Sequence, residues 1–280
     1  TGRPKGVRIT HGMLEAMTLS YFADVDPVTG EDATLYAAPM SHAAGIYNML
    51  YVLKGARHVC PPSGGFDAGE VLELSARLGS VCMFMAPTMV RRFTDVAKAA
   101  GDRAPGIRTI VYAGGPMYTA DIIEAVDWFG PKFAQIYGQG ECPMAITALS
   151  RADVADRSHP RWRDRLGSVG RAQSVVELRI GGADGQPLPP NETGEIMVRG
   201  APVMPGYWEN PEASAKTLVD GWLMTGDVGR LDEDGYLTLT DRSKDVIISG
   251  GSNIYPREVE EVLLEHPDVH EVSVVGRPDP

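Results

Sequence analysis

Residues 109–141 have the sequence TIVYAGGPMYTADIIEAVDWFGPKFAQIYGQGE and contain a complete strand–helix–strand unit. The apolar runs Thr109–Ala113 and Phe133–Tyr137 predict strands, and Thr119–Phe129 between them has the length and pattern of a helix. A crossover helix returns the chain to the same end of the sheet, so the two strands are expected to be parallel. A glycine-rich segment follows each strand, at the carboxyl edge where open sheets bind ligands.

The same alternation covers residues 33–137, and a different pattern follows it. Three further apolar runs, with helix-length stretches between them, extend the predicted parallel sheet with flanking helices. From about residue 166, short alternating runs separated by Gly, Pro and Asn predict an antiparallel β-subdomain without helices. The predicted fold class is therefore α/β with a parallel sheet, followed by a β-subdomain and the start of a small α+β C-terminal domain. The expected boundaries are 1–165, 166–242 and 243–280.

Composition excludes several classes of function. The 280-residue chain has 26 basic and 37 acidic residues and a formal net charge of −11, which argues against a nucleic-acid or anionic-membrane surface. No apolar run approaches the roughly 20 residues that cross a bilayer, so no transmembrane segment is expected. Cys60, Cys82 and Cys142 lie far apart without metal-ligand spacing, which indicates reduced thiols in a cytoplasmic protein. The oligomeric state is not predicted.

The segment Tyr236–Glu261 has the order expected of a joint between two domains. A strand, a charged stretch, a second strand and the turn Gly250-Gly251 follow one another without a spacer. An amphipathic helix is predicted next, with Pro256 in its first turn. The chain opens without Met inside a glycine-rich loop and stops soon after the strand-like run Val272–Val275, so we expect a piece of a longer protein.

Three motifs have the chemistry of a nucleotide site, and each has a simpler alternative. In Tyr137-Gly-Gln-Gly-Glu141, the ring can stack on a base and the carboxylate can bind Mg²⁺; a β-turn with an exposed acid is the alternative. In the opening segment, glycines and Lys5 can hold phosphate, or the segment is a solvated terminus. Asp227 can accept hydrogen bonds from a ribose diol and Arg242 can donate one, or the two form an ordinary salt bridge.

Taken together, Thr1-Gly-Arg-Pro-Lys-Gly6, Tyr137–Glu141, Met224-Thr-Gly-Asp227 and Tyr236–Glu261 resemble the adenylate-forming family of acyl-CoA synthetases, nearly end to end. The resemblance implies activation of a small-molecule carboxylic acid with ATP and transfer of the acyl group to the thiol of CoA, with Mg²⁺ as cofactor. It also implies that a small domain rotates between these two steps.

The resemblance implies a role for each candidate residue. Glu141 is expected to be the metal ligand and a catalytic residue, and His42 is expected to position substrate without acting as a general base. Lys244 is the expected hinge, and Gly250 and Gly251 the expected CoA tunnel. The acyl-pocket candidates are His42, Ala113, Tyr118 and Met144. The ATP- and AMP-binding candidates are Thr1, Gly2, Lys5, Gly114, Gly115, Pro116, Tyr137, Gly138, Gln139, Gly140, Asp227 and Arg242.

One position departs from the family pattern, and three functions stay open. Gly140 stands where the family usually has Thr, so a hydroxyl beside the adenylate phosphate is missing. Acid:CoA ligase is the first interpretation; the alternatives are an adenylation domain that loads a carrier protein and a non-catalytic nucleotide-binding module. The family's adenylation lysine lies in a part of the small domain absent from these 280 residues, so weak adenylate binding without turnover is expected of them. The acid itself is not predicted.

Overall fold

A computed structural model describes residues 4–182, 185–242, 247–249, 252–264, 266, 268–269 and 272–277. The helices are α1 (His11–Ser20), α2 (Ala43–Ile46), α3 (Asn48–Lys54), α4 (Ala68–Leu78), α5 (Pro87–Ala100), α6 (Thr119–Phe129), α7 (Arg151–Ala155), α8 (Trp162–Gly167), α9 (Pro211–Thr217) and α10 (Pro256–Leu264), with a π-helical turn at Tyr21–Val25. The strands are β1 (Ala33–Leu35), β2 (Arg57–Val59), β3 (Val81–Met85), β4 (Ile107–Tyr112), β5 (Phe133–Gln139), β6 (Cys142–Leu149), β7 (Arg171–Ala172), β8 (Val176–Gly181), β9 (Gly194–Gly200), β10 (Leu218–Val219), β11 (Trp222–Leu231), β12 (Leu237–Arg242), β13 (Ile247–Ser249) and β14 (Ser252–Ile254).

The larger sheet confirms the parallel α/β prediction. Within the described residues its strand order is β2-β1-β3-β4-β5-β6-β7, and the pairs from β2 to β5 are parallel. One core cluster includes apolar side chains of α4, α5 and α6, among them Val71, Phe93 and Ile122. A second includes side chains of α1 and α3, with Met17 and Leu50 among them. Burial of these apolar side chains is the main stabilising contribution to the layered structure.

The second sheet confirms the antiparallel β-subdomain. Its order among the described residues is β10-β11-β9-β8, and β12 pairs with the other side of β11. Strand β11 pairs with β9 on both sides of an irregularity between Met224 and Val228. Gly226 lies inside it with φ of +73°, a left-handed conformation that glycine adopts without strain. The irregularity places Asp227 at a break in the ladder.

Helix α9 shows that the prediction of a helix-free β-subdomain is wrong. Asn210 caps this helix by accepting a hydrogen bond from the Ala213 N–H at 3.0 Å, and Pro211 occupies its first turn. None of the side chains of α9 is fully buried. The helix therefore lacks the buried apolar stripe by which helices are predicted from sequence. Its capping Asn210 and its Pro211 are nevertheless typical of a helix start.

The β5–β6 hairpin ends the parallel run in a way that the sequence pattern did not predict. Strand β5 continues two residues past Tyr137, and the chain turns through Gly140 and Glu141 into antiparallel β6. The register shifts between Tyr137 and Gln139, where Gly138 lies. A Cβ on Gly138 would lie 2.5 Å from the backbone N of Met144, closer than real side chains approach. The hairpin that presents Glu141 therefore depends on this glycine.

Replacing Gly138 with Ala is expected to lower the free energy of unfolding by about 1–3 kcal/mol, because the added methyl group meets backbone atoms that cannot move aside. Gly140→Ala is the matched control, since its Cβ would meet Val7 Cγ2 at an ordinary 3.5 Å. Urea denaturation of the protein that contains this chain measures both variants. Equal stability of the two variants would show that the close contact does not constrain the hairpin.

The opening segment pairs with the loop that precedes α9. Val7 forms an antiparallel bridge with Tyr207, the Arg8 N–H donates to the Gly206 carbonyl at 3.2 Å, and the Trp208 N–H donates to the Gly6 carbonyl at 2.7 Å. Three hydrogen-bonded or bridged positions in a row fix the register of the two segments. Lys5 therefore occupies a defined position beside the β-subdomain.

The C-terminal part forms the short hairpin β13–β14 and helix α10. The strand expected at Val272–Val275 is wrong, because residues 272–277 have no regular secondary structure. None of the described helices has the length and apolar character needed to cross a membrane.

Candidate nucleotide site

A cavity of about 240 Å³ lies where the opening segment, the β5–β6 turn, α9 and the break in β11 meet. Three predicted residues line it, namely Lys5, Gln139 and Glu141. The other lining residues are Glu195, Tyr207, Lys216, Thr217, Met224, Thr225 and Gly226. Both signs of charge therefore face one space, which suits a ligand that carries phosphates and a cation.

Tyr137 and Asp227 are joined by a direct hydrogen bond. The Tyr137 hydroxyl donates to Asp227 Oδ2 at 2.6 Å, across 90 residues of sequence. Burial raises the pKa of Tyr137, and the charge of the neighbouring Asp227 carboxylate raises it further. The phenol therefore stays protonated at neutral pH and remains a donor. Its bond orients the carboxylate that is expected to bind ribose.

The environment of Tyr137 differs from a simple stacking platform. Its side chain is 9% exposed and packs in a core cluster with Cys142, Ile146 and Leu223. Most of the ring is therefore already covered by protein. The hydroxyl of Tyr137 is hydrogen-bonded to Asp227. Gly140, at the turn of the hairpin, is exposed.

The break in β11 is held by its own hydrogen bonds. The Thr225 hydroxyl donates to the Ile196 carbonyl at 2.8 Å and accepts from the Asp227 N–H at 3.1 Å. The Gly226 N–H donates to Glu195 Oε1 at 3.1 Å. Two side chains thus replace ladder bonds that the irregularity removes, and they keep Asp227 beside the cavity.

Tyr207 is the site residue that the sequence analysis did not assign. Its hydroxyl accepts a hydrogen bond from Lys5 Nζ at 3.1 Å and donates to Glu141 Oε1 at 2.5 Å. The ammonium group of Lys5 also lies 4.3 Å from the centre of the Tyr207 ring. The motif Val203–Trp208 reads as packing residues in sequence, because an aromatic pair after Pro-Gly gives no sign of polar partners.

The nucleotide-binding candidates Gly114, Gly115 and Pro116 form the loop that follows β4. Ala113 is buried, whereas Gly114, Gly115 and Pro116 are exposed, so the strand ends inside and the loop backbone is accessible. Gly114 has φ of +87°, which requires glycine for the turn. The loop connects a strand to a helix, and its exposed backbone is also open to a ligand.

The acyl-pocket candidates do not all lie together. Ala113 and Met144 belong to one buried cluster, against which Phe84 and Ile46 pack. Tyr118 lies outside this cluster, and its hydroxyl donates to Glu260 Oε2 of α10 at 3.2 Å.

His42 is the residue before α2, and its side chain is exposed and shares a hydrogen bond with Ser41 Oγ at 2.9 Å.

Several predicted residues lie outside the described part of the chain. These are Thr1, Gly2, Lys244, Gly250, Gly251 and the side chain of Arg242. The backbone of Arg242 is described, and it pairs with Asp227 across β11 and β12. The pairing of β11 with β12 thus places the backbones of Asp227 and Arg242 opposite each other.

The residues at the cavity fit a magnesium ion that also binds phosphates. Glu141 Oε1 is occupied by Tyr207, and among the described residues Oε2 has no hydrogen-bond partner. The described chain has no group of three or more His, Cys, Asp or Glu side chains arranged to hold a metal. Mg²⁺ commonly uses one or two protein carboxylates together with phosphate and water oxygens, so a single carboxylate suffices.

The Gln139 side-chain Nε2 is buried without a partner among the described residues and belongs to the same cavity lining. A buried amide donor without an acceptor costs free energy unless a ligand or water completes it. Lys5 and Gln139 therefore offer nitrogen donors to an anion, and Lys216, whose Nζ also pairs with Glu212 Oε1 at 2.8 Å, adds a positive charge.

Several known proteins are similar to this chain in sequence or in fold. A feruloyl-CoA synthase from Amycolatopsis sp is 39% identical over 282 residues, covering 100% of this chain and 55% of that protein. The solved amide bond synthetase from Marinactinospora thermotolerans has a TM-score of 0.90 at 34% identity, covering 99% of this chain and 54% of its own. The O-succinylbenzoate coenzyme A synthetase from Bacillus subtilis, solved with ATP and a magnesium ion, has a TM-score of 0.86 at 35% identity, with coverages of 100% and 56%.

The chain spans about half the length of the curated relatives that it matches. Residues 1–208 match the AMP-binding enzyme family. The match covers most of the chain and includes Lys5, Tyr137 and Glu141. On this match and the shared fold, the chain belongs to the AMP-binding enzyme family.

Proposed function

We propose that the protein containing this chain activates a carboxylic acid with ATP, forms an acyl-adenylate and transfers the acyl group to the thiol of CoA. The observation that carries the proposal is the convergence of two hydrogen-bonded pairs: Tyr207 and Glu141 line the cavity, and Asp227, which is bonded to Tyr137, directly follows the lining residue Gly226. The members of each pair come from distant parts of the sequence. Their convergence supports a ligand that has both a sugar and phosphates.

In the proposed reaction, the chain's residues bind and orient, and none forms a covalent intermediate. Asp227 accepts hydrogen bonds from the ribose diol, the loop Gly114–Pro116 flanks adenine, and Lys5 and Gln139 donate to phosphate oxygens. An oxygen of the substrate carboxylate bonds to the α-phosphorus, and the bond to the bridging oxygen breaks, so pyrophosphate leaves. Glu141 would hold Mg²⁺, which would supply positive charge against the leaving pyrophosphate. Positioning and electrostatics supply most of the acceleration in such transfers.

The second half of the proposal concerns the acceptor. The names of the relatives support CoA, since they include a feruloyl-CoA synthase and an indoleacetate–CoA ligase. The amide bond synthetase among the structural neighbours supports a nitrogen nucleophile as a second candidate, beside a carrier-protein thiol. We propose Lys244 as the hinge and Gly250 and Gly251 as the CoA tunnel, with domain boundaries near residues 165 and 242. A cytoplasmic location is part of the same proposal.

The acyl group is proposed to be apolar. Ala113 and Met144 lie in an apolar cluster with Phe84, and His42 is proposed to lie at its entrance and position the acid. The names of the relatives include a feruloyl-CoA synthase, whose acid is aromatic, and a medium- or long-chain fatty acid–CoA ligase. Both classes therefore belong in a substrate screen.

A pyrophosphate-exchange screen tests the proposal. We expect labelled pyrophosphate to enter ATP only when a suitable aromatic or aliphatic acid is present, because exchange requires reversible adenylate formation. Adding CoA is expected to convert the adenylate to a thioester with release of AMP, and mass spectrometry detects the thioester. An amine and a phosphopantetheinyl carrier protein serve as competing acceptors. Absence of exchange with every acid would contradict the activation step, and an amide or carrier product in place of the CoA thioester would contradict the proposed acceptor.

A further inference from the structure

Tyr207 is buried and is held by contacts of both its side chain and its backbone. Its side chain is 5% exposed and packs in a small cluster with Met13 and Met204. Its backbone bridges to Val7, and its N–H donates to Ser214 Oγ at 2.8 Å. A ring fixed at both backbone and side chain can position its hydroxyl with little freedom, which lowers the entropic cost of ordering a partner.

The Tyr207 hydroxyl lies between opposite charges that do not contact one another directly. It accepts from Lys5 Nζ and donates to Glu141 Oε1, and no direct ion pair joins those two residues in the described part of the chain. A direct pair would place the ammonium group on the carboxylate and would compete with a metal ion there. The neutral phenol instead occupies only one carboxylate oxygen.

We propose that Tyr207 is a positioning residue, which orients the Glu141 carboxylate for Mg²⁺ and keeps Lys5 turned toward the phosphates. This inference rests on the proposed function, because it assumes that Mg·ATP occupies the cavity. Donors to metal-ligating carboxylates fix the ligand's orientation, and their loss typically lowers metal affinity by about 10- to 100-fold. Tyr207 acts through Glu141 and Lys5, so its removal changes the metal requirement more than the rate at saturating metal.

Tyr207→Phe tests the inference, since phenylalanine keeps the ring that packs on Met13 and Met204 and removes only the hydroxyl. In the protein that contains this chain, we expect the magnesium concentration for half-maximal acid-dependent pyrophosphate exchange to rise by about 10-fold. Binding of AMP, which lacks the β- and γ-phosphates, is expected to stay unchanged. Tyr236→Phe is the control, because Tyr236 is 6% exposed and does not line the cavity.

The outcomes separate the two proposals. If the unmodified protein exchanges pyrophosphate and Tyr207→Phe has the same magnesium dependence, the positioning role is wrong and the proposed function stands. If the unmodified protein shows no exchange with any acid, the proposed function fails first.

Lys5→Met provides a second readout should Tyr207→Phe lose stability. A positioning role predicts a raised KM for ATP with a magnesium dependence closer to that of the unmodified protein. If Lys5→Met instead raised the magnesium concentration for half-maximal exchange by about 10-fold, as expected for Tyr207→Phe, Lys5 and Glu141 would not have the separate roles proposed here.

Discussion

Replacing Asp227 with Ala is expected to weaken AMP binding by about 100-fold, because a carboxylate that accepts hydrogen bonds from a ribose diol contributes about 3 kcal/mol. The structure gives a second reason for a large effect. Tyr137 donates to this carboxylate at 2.6 Å, so the variant also leaves a buried phenol without an acceptor. Titration calorimetry with AMP measures the loss directly.

Two matched variants identify the source of that loss. Tyr137→Phe removes the internal hydrogen bond and keeps the carboxylate, so we expect a smaller loss of AMP affinity than for Asp227→Ala. Asp227→Asn keeps the shape and removes the charge, and we expect an intermediate effect. If Asp227→Ala binds AMP as tightly as the unmodified protein, the carboxylate has no role in ribose recognition.

The second large effect is expected for Glu141→Gln, which should lower kcat/KM for acid-dependent exchange by about 1,000-fold. The amide keeps the size of the side chain and its oxygen can still accept from Tyr207, but it lacks the negative charge that attracts Mg²⁺. Binding of AMP is expected to change little, because AMP does not require the metal-bound phosphates. Steady-state exchange rates and AMP titrations on the same preparation compare the two properties.

Glu195→Gln is the control for that experiment. Glu195 lines the same cavity, but it accepts a hydrogen bond from the Gly226 N–H and belongs to the frame of the β11 break. We expect it to affect exchange much less than Glu141→Gln. Equal losses for the two variants would mean that net negative charge in the cavity matters and that Glu141 is not the specific metal ligand.

The sequence predicted the parts of the fold that follow strong periodic patterns. The parallel sheet followed from strands and helices of ordinary length, such as the predicted helix Thr119–Phe129, whose bounds the structure reproduces in α6. The β5–β6 hairpin was not predicted, because β6 is almost wholly buried and its sequence is one apolar run without alternation. Helix α9 was not predicted, because none of its side chains is fully buried and its sequence therefore has no apolar pattern.

The candidate site was predictable where a side chain's chemistry is evident from its type. Asp227 and Glu141 are acids beside glycines, and Lys5 lies in a glycine-rich loop, so each suggests a ligand on its own. Tyr207 differs because its function depends on partners at residues 5 and 141, and no local pattern encodes a contact over that distance. The pairing of Val7 with Tyr207 could have been found only from the structure.

The most direct test of the proposed nucleotide site is a crystal structure of the protein containing this chain, grown with a non-hydrolysable ATP analogue and Mg²⁺. We expect the ribose hydroxyls on the Asp227 carboxylate, the metal on Glu141 and Lys5 on a phosphate oxygen, with Tyr207 beside the metal ligand. A nucleotide bound on another surface, with Asp227 and Glu141 free of contact to it, would contradict the claim that these distant segments form one nucleotide site.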